Sequence, residues 1–305
     1  MLIHIGYHKT GTTWLQDHVF NNPSKGFVSR WTVGTGEAIE YFVLKNEFQF
    51  DPEDVRDAFK KSHSGAKTLI PVISHEDLSG YPIFGRYYGP QVARRLQTTF
   101  PDARVLIVMR EQKSMLMSLY RQYIRQDGEW PLAAFIGDGK ERPGFIPICR
   151  LDHLEYHSLV NLYCKLFGRS NVLVLPYELL PRDGQMFEQR IHAFTGSEGS
   201  ADEVPPRANV GWLGATLALR RQINKFIRKS PHWQGQWNAL PLSYRAAYRL
   251  CNIVDRIAPK SWHRAVDKRL KVQIEERVAG HYRQSNRELS DVLGINLKEL
   301  GYDTA

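Results

Sequence analysis

The sequence predicts an α/β fold, a parallel β-sheet flanked by helices, with a helical C-terminal extension. Three observations carry this. Short, continuous apolar runs recur at "LIHI" (2–5), "ARVLIVMR" (103–110) and "NVLVLPYE" (171–178), without the alternation of a half-solvated sheet. Amphipathic stretches of helical period lie between them. From Gly211 onward the pattern is helical only.

Taken in order, residues 2–5 form the first strand, followed by a glycine loop and a helix from about 12 to 20. "KTLIPVIS" (67–74) is the second strand, although Pro71 is an awkward residue inside a sheet. Residues 103–110 are the clearest strand, and a helix follows over 113–125. A helix over about 152–167 then leads into the strand at 171–178. Helical periodicity returns in "LGATLALRRQINKFI" and around 244–257. Internal repeats and low-complexity linkers are absent, so one domain is expected over 1–305. Its core spans about 1–200, and a basic helical part spans about 205–305.

Composition narrows the class. The chain has 305 residues, 42% hydrophobic and 11% aromatic, enough to bury a large core and unlike a disordered chain. No apolar run reaches the ~20 residues of a membrane helix, and the loop beginning at Gly6 leaves no room for a leader. The three cysteines (Cys149, Cys164, Cys251) are scattered and lack metal-ligand spacing. These features predict a soluble protein of the cytoplasm. The net charge of +9 is uneven: residues 205–305 carry 18 Lys+Arg against 8 Asp+Glu, leaving 23 against 24 before them. An anionic partner is one reading and a set of solvated helix faces the other. No nucleic-acid-binding motif accompanies the charge, so no nucleic-acid partner is expected.

The segment "GYHKTGTTW" (6–14) spaces Gly6 and Gly11 as a nucleotide P-loop does, but Thr12 stands where that loop has its lysine. The one lysine is Lys9, inside the turn. A strand, a glycine turn and a helix starting near Thr12 aim several backbone N–H groups at one point, where the helix dipole adds positive potential. Thr12 and Thr13 add hydroxyls and Lys9 a cation, so phosphate or sulfate is the natural occupant. The strongest strand then ends in Arg110, where a Mg²⁺-using phosphotransferase places an aspartate. A guanidinium there would repel a metal and bind an anion. Ser118 follows eight residues later. Two anion stations are expected, and no metal.

At these residues the sequence resembles the sulfotransferases that use 3′-phosphoadenosine 5′-phosphosulfate (PAPS). "HKTGTTW" is similar to their 5′-phosphosulfate loop, and "MREQKSMLMS" (109–118) to their 3′-phosphate segment. A looser likeness runs through "NVLVLPYELLPRDG" and "FTG", so it spans roughly the first two hundred residues. The resemblance implies a P-loop-like sulfotransferase fold, PAPS as co-substrate, adenosine 3′,5′-bisphosphate as product and no metal. By position it implies that Lys9 binds the phosphosulfate and stabilises the leaving phosphate. Thr10, Gly11, Thr12 and Thr13 would hold the 5′-phosphate, Trp14 would stack near the adenine, and Arg110 with Ser118 would clamp the 3′-phosphate. The late arginine-lysine-glycine segment of cytosolic members is missing, and Arg207 in "PPRANVGW" lies where it could substitute. The N-terminal Golgi anchor of the animal glycan enzymes is missing too, which points to a bacterial source.

The family's base is a histidine or a glutamate just after a strand. "ISHEDLSGY" (73–81) offers His75 and Glu76, of which only one can face the sulfonate from an extended segment. Glu76 is favoured because "DLSG" resembles the glycan-type members, while His4 and His8 read as structural. A helix face carrying Arg221, Lys225 and Arg228 suggests an anionic or carbohydrate acceptor. Two other classes stay open at this point: a Mg²⁺-dependent, kinase-like nucleotide phosphotransferase and a non-catalytic polyanion-binding module.

Overall fold

A computed structural model of the chain describes residues 1–32, 36–65, 68–199, 212–228 and 240–305. Arg207 lies outside the described residues. Five parallel strands, β1 (Leu2–Gly6), β2 (Phe27–Trp31), β3 (Ile70–Ser74), β4 (Arg104–Met109) and β5 (Val172–Pro176), are ordered β2-β3-β1-β4-β5. The twelve α-helical segments among the described residues are α1 (Thr12–Leu15), α2 (Glu37–Ile39), α3 (Pro52–Ser62), α4 (Gly89–Thr99), α5 (Gln112–Arg125), α6 (Leu132–Ile136), α7 (Tyr156–Phe167), α8 (Gly184–Thr195), α9 (Gly214–Ile223), α10 (Leu242–Ile257), α11 (Lys260–Val278) and α12 (Arg283–Leu293).

The expected fold class is the one found, and the apolar strands explain it. In β4, Val105, Ile107 and Met109 face one core while Leu106 and Val108 face another. The first core lies under α4, α5 and α7, and the second under α1 and α8. A strand that must satisfy two apolar layers cannot alternate with polar residues. The central strand, β1, pairs with β3 and β4, which puts the glycine loop at the middle of the sheet's carboxyl edge.

Three elements differ from expectation. β2 was not anticipated; "FVSRW" is short and interrupted by Ser29 and Arg30, and it pairs only with β3. Pro71 does not break β3, because the ladder with β1 starts one residue later, at Val72. The predicted helix at 152–167 is a 3₁₀ turn, Leu151–Leu154, followed after Glu155 by α7. The first helix reaches Phe20 as expected, but from Gln16 onward it is π-helical, with Asn21 N–H donating to the Gln16 carbonyl at 3.0 Å.

The C-terminal helices pack on the core rather than trailing from it. α9 and α11 lie on α5, α12 lies on α7, and buried Arg220 of α9 pairs with Asp127 at 2.6 Å beneath the Tyr244 ring. α9 ends at Ile223, so Lys225 and Arg228, expected on one helix face with Arg221, lie past it. Arg228 is instead held by Glu129 and the Asn224 carbonyl.

Candidate active site

The loop after β1 is built for close approach. Lys9 and Gly11 both take left-handed backbone, with φ of 64° and 84°. Gly11 has no alternative, since a Cβ there would meet Leu180 at 3.1 Å and Tyr177 at 3.3 Å. At Gly6 a Cβ would come within 2.8 Å of Thr12 Oγ1. Lys9 has no such excuse, so its conformation is imposed from outside. Arg110 Nη1 donates to the Lys9 carbonyl at 3.1 Å, and the Thr10 hydroxyl closes the turn on the Tyr7 carbonyl.

The floor of the loop is rigid. His4 Nδ1 lies 2.8 Å from Ser74 Oγ, and Gln16 Nε2 donates to the Ser74 carbonyl at 2.8 Å, so β1, β3 and the first helix are tied below the turn. Burial lowers the His4 pKa to about 3, which keeps the ring neutral. His8 lies 3.0 Å from the Gly80 carbonyl and 3.2 Å from Asp77, stacked on Tyr81. Both histidines are engaged by contacts within the fold. Among the described residues Thr12 Oγ1 is buried without a hydrogen-bond partner, at the helix N-terminus where an anion would sit.

At the end of β3 the two base candidates part company. His75 is buried and caps the next 3₁₀ turn, its Nδ1 accepting from the Asp77 N–H at 3.1 Å. Its pKa is lowered by burial, against the opposing pull of Asp77 and Glu76. Glu76 is half-buried, and its Oε2 has no partner among the described residues. The Lys9 ammonium feels Glu76: its pKa is lowered by partial desolvation and then by Arg125 and Arg110, while Glu76 works the other way. His75 is thus committed to its cap, while Glu76 keeps an unpartnered oxygen and acts on the Lys9 charge.

Arg110 stands where β4 ends. Besides its bond to Lys9 it donates from Nε to Ser114 Oγ at 3.0 Å and lies 5.2 Å over the Tyr177 ring. Its own carbonyl accepts from the Tyr156 hydroxyl at 2.6 Å. Two of its five N–H groups donate among the described residues. Ser118 lies one further turn along α5, and the two residues line a cleft of about 690 Å³. The opposite wall is α11, with Arg264, Lys268 and Lys271. Asp267, between them, is already held by Arg121 at 2.8 Å.

These α11 cations were not anticipated, though their i, i+4, i+7 spacing marks one helix face. Equally unforeseen is the support of α5. Glu111 caps it by accepting from the Lys113 and Ser114 N–H groups. Glu178 accepts from the Glu111 N–H at 2.9 Å and from the Tyr302 hydroxyl at 3.1 Å. Burial raises the Glu178 pKa. Of the other predicted residues, Thr13 is exposed at the helix start, and Trp14 packs against the second core beside His18.

No family model matches this chain, and no curated protein matches it in sequence. Solved structures do resemble it. A sulfotransferase from Alicyclobacillus acidocaldarius is 19% identical, with 86% of this chain covering 97% of that one at a TM-score of 0.48. The sulfotransferase domain from the curacin biosynthetic pathway is 10% identical, covers 81% and 82%, and has a TM-score of 0.40. Mouse sulfotransferase SULT7A1, complexed with PAP, is 13% identical, covers 88% of each and has a TM-score of 0.39. These neighbours are sulfotransferases.

Among the described residues no cluster of three or more His, Cys, Asp or Glu could hold a metal, and no helix is long and apolar enough to cross a membrane. Arg110 therefore links the glycine loop to the cleft lined by Ser118, and half-buried Glu76 acts on the Lys9 charge beside the loop.

Proposed function

We propose that this chain is a sulfotransferase that moves the sulfuryl group of PAPS to a hydroxyl or amine of an acceptor. The observation that carries the reading is the double engagement of Arg110, which ties the glycine loop to the cleft lined by Ser118. An arginine at a strand end beside a phosphate cradle suits a ligand with two separated phosphates. It does not suit a Mg²⁺-dependent kinase, which needs an acid there.

When bound, PAPS supplies an activated sulfonate with a phosphate leaving group. Lys9 and the N–H groups from Gly11 onward would face that phosphate, with Thr12 Oγ1 gaining the partner it lacks. Arg110 and Ser118 would hold the 3′-phosphate, and Arg264, Lys268 and Lys271 add positive charge across the cleft. Glu76 would take the acceptor's proton, since His75 has spent Nδ1 on its cap. With the α11 cations on the nucleotide side, charge no longer argues for an anionic acceptor. A carbohydrate hydroxyl is proposed only from the likeness of the turn after Glu76.

The test is thermal shift with adenosine 3′,5′-bisphosphate, ATP with Mg²⁺, and heparin, followed by an acceptor screen with labelled PAPS. The bisphosphate at about 100 times its dissociation constant should add ~2.7 kcal/mol of stability. A shift with ATP and Mg²⁺ alone would restore the phosphotransferase reading, and one with heparin alone the polyanion-binding module.

A further inference from the structure

Helix α10 has two apolar faces, and the fold uses one of them. Tyr244, Ala247 and Cys251 are buried against the neighbouring helices. At 100° per residue, Leu242, Ala246, Leu250, Ile253 and Ile257 fall within an arc of about 80° on the other side. That side faces water: Leu242 is 79% exposed, Ile253 53% and Ile257 73%, and Trp262 at the start of α11 is 64% exposed. Solitary exposed leucines are ordinary, but a stripe four turns long is not.

The charge beside the stripe identifies what would cover it. Arg245, Arg249 and Arg256 fill the adjoining arc, and Arg249, Arg256 and Lys260 are exposed. The only acid on the helix, Asp255, points away and accepts from the Leu213 N–H at 2.8 Å. A second copy packed on this face would bring two arginine rows together with no carboxylate from α10 between them. A lipid bilayer with anionic headgroups answers both features, taking the apolar side chains among its acyl chains and the arginines among its phosphates. We infer that α10 is a peripheral docking helix that lays this protein on an anionic membrane surface. The inference does not depend on the reaction proposed above.

Vesicle flotation tests it with the full chain. The protein should float with mixed phosphatidylcholine–phosphatidylserine vesicles and stay behind with phosphatidylcholine alone. Ile253→Asp combined with Ile257→Asp should abolish flotation. Arg249→Gln with Arg256→Gln should weaken it about fivefold per arginine. Every substituted position is exposed, and an unchanged thermal melt would establish that the variants fold. Failure of the unmodified chain to float overturns the inference, as does flotation equal on both vesicle types or indifferent to the variants. A dimer in light scattering that the aspartates disperse also overturns it, since the face would then join copies of this chain.

Discussion

Arg110 donates to the main-chain oxygen of Lys9 at 3.1 Å, so the end of β4 holds the glycine loop in its left-handed turn. One side chain therefore shapes the glycine loop and, on the reading proposed above, forms part of a second anion station. Arg110→Ala should weaken both PAPS and adenosine 5′-phosphosulfate through the loosened loop, and PAPS by a further ~1.5–3 kcal/mol for the charge-assisted bond to the 3′-phosphate that the other nucleotide lacks. Calorimetry with both nucleotides decides it. Arg110→Lys should rescue little, because an ammonium cannot reproduce the fork that reaches both Lys9 and Ser114.

Lys9 separates charge from conformation. Lys9→Ala should cut turnover by roughly 10²–10³-fold with a smaller loss of bisphosphate affinity, because a fixed cation acts mainly on charge that develops in the transition state. Lys9→Gly should be equally inactive but melt no lower than the unmodified protein, since glycine accepts a φ of 64° freely. Turnover and melting temperature, measured together on both variants, test the assignment.

The two residues after β3 should fail differently. Glu76→Gln should lower turnover by about 10²–10⁴-fold while nucleotide binding and stability hold. His75→Ala should cost about 0.5–2 kcal/mol of stability through the lost cap and affect turnover less. If His75→Ala alone abolishes turnover, the base is the histidine.

The far wall of the cleft predicts a salt effect. Replacing Lys268 and Lys271 together with alanine should weaken the bisphosphate about twofold to thirtyfold, on the scale of ~0.2–1 kcal/mol for each exposed ion pair. The affinity that remains should depend less on ionic strength than before. An unaltered salt slope by calorimetry would place the ligand away from α11.

Stability should fall in mild acid. His4 and His153 have pKa values lowered by burial from the ordinary 6.5 to about 3. Their contribution is full above 6.5, where neither the folded nor the unfolded state carries the proton. Below that the unfolded chain binds protons that the folded one refuses, so stability declines as pH falls toward 3. The decline is at most about 1.4 kcal/mol per pH unit per histidine. Urea melts from pH 7 to pH 5 measure it, and a flat profile would contradict the burial of both rings.

Strands β1, β4 and β5 were legible because two apolar layers leave no room for polar residues. The glycine loop was legible because its chemistry is local, seven consecutive residues from "HKTGTTW". The choice between His75 and Glu76 was open, since a capping bond depends on one backbone angle that residue types do not specify. The α11 cations were missed because they meet Arg110 and Ser118 only through the packing of helices about 150 residues apart in the chain. β2 was missed because an edge strand with one partner needs less apolar continuity than a central one.

Tyr302 reaches back to Glu178, which accepts from the N–H of Glu111, the residue that caps the helix bearing Ser118. During synthesis the glycine loop leaves the ribosome first, while this brace on α5 is made almost three hundred residues later. All five strands have emerged by Pro176, long before the residue that braces α5 exists. On the reading proposed above, nucleotide binding becomes a late event in the life of each molecule, and a truncation that removes buried Tyr302 should cost core packing as well as grip on the ligand.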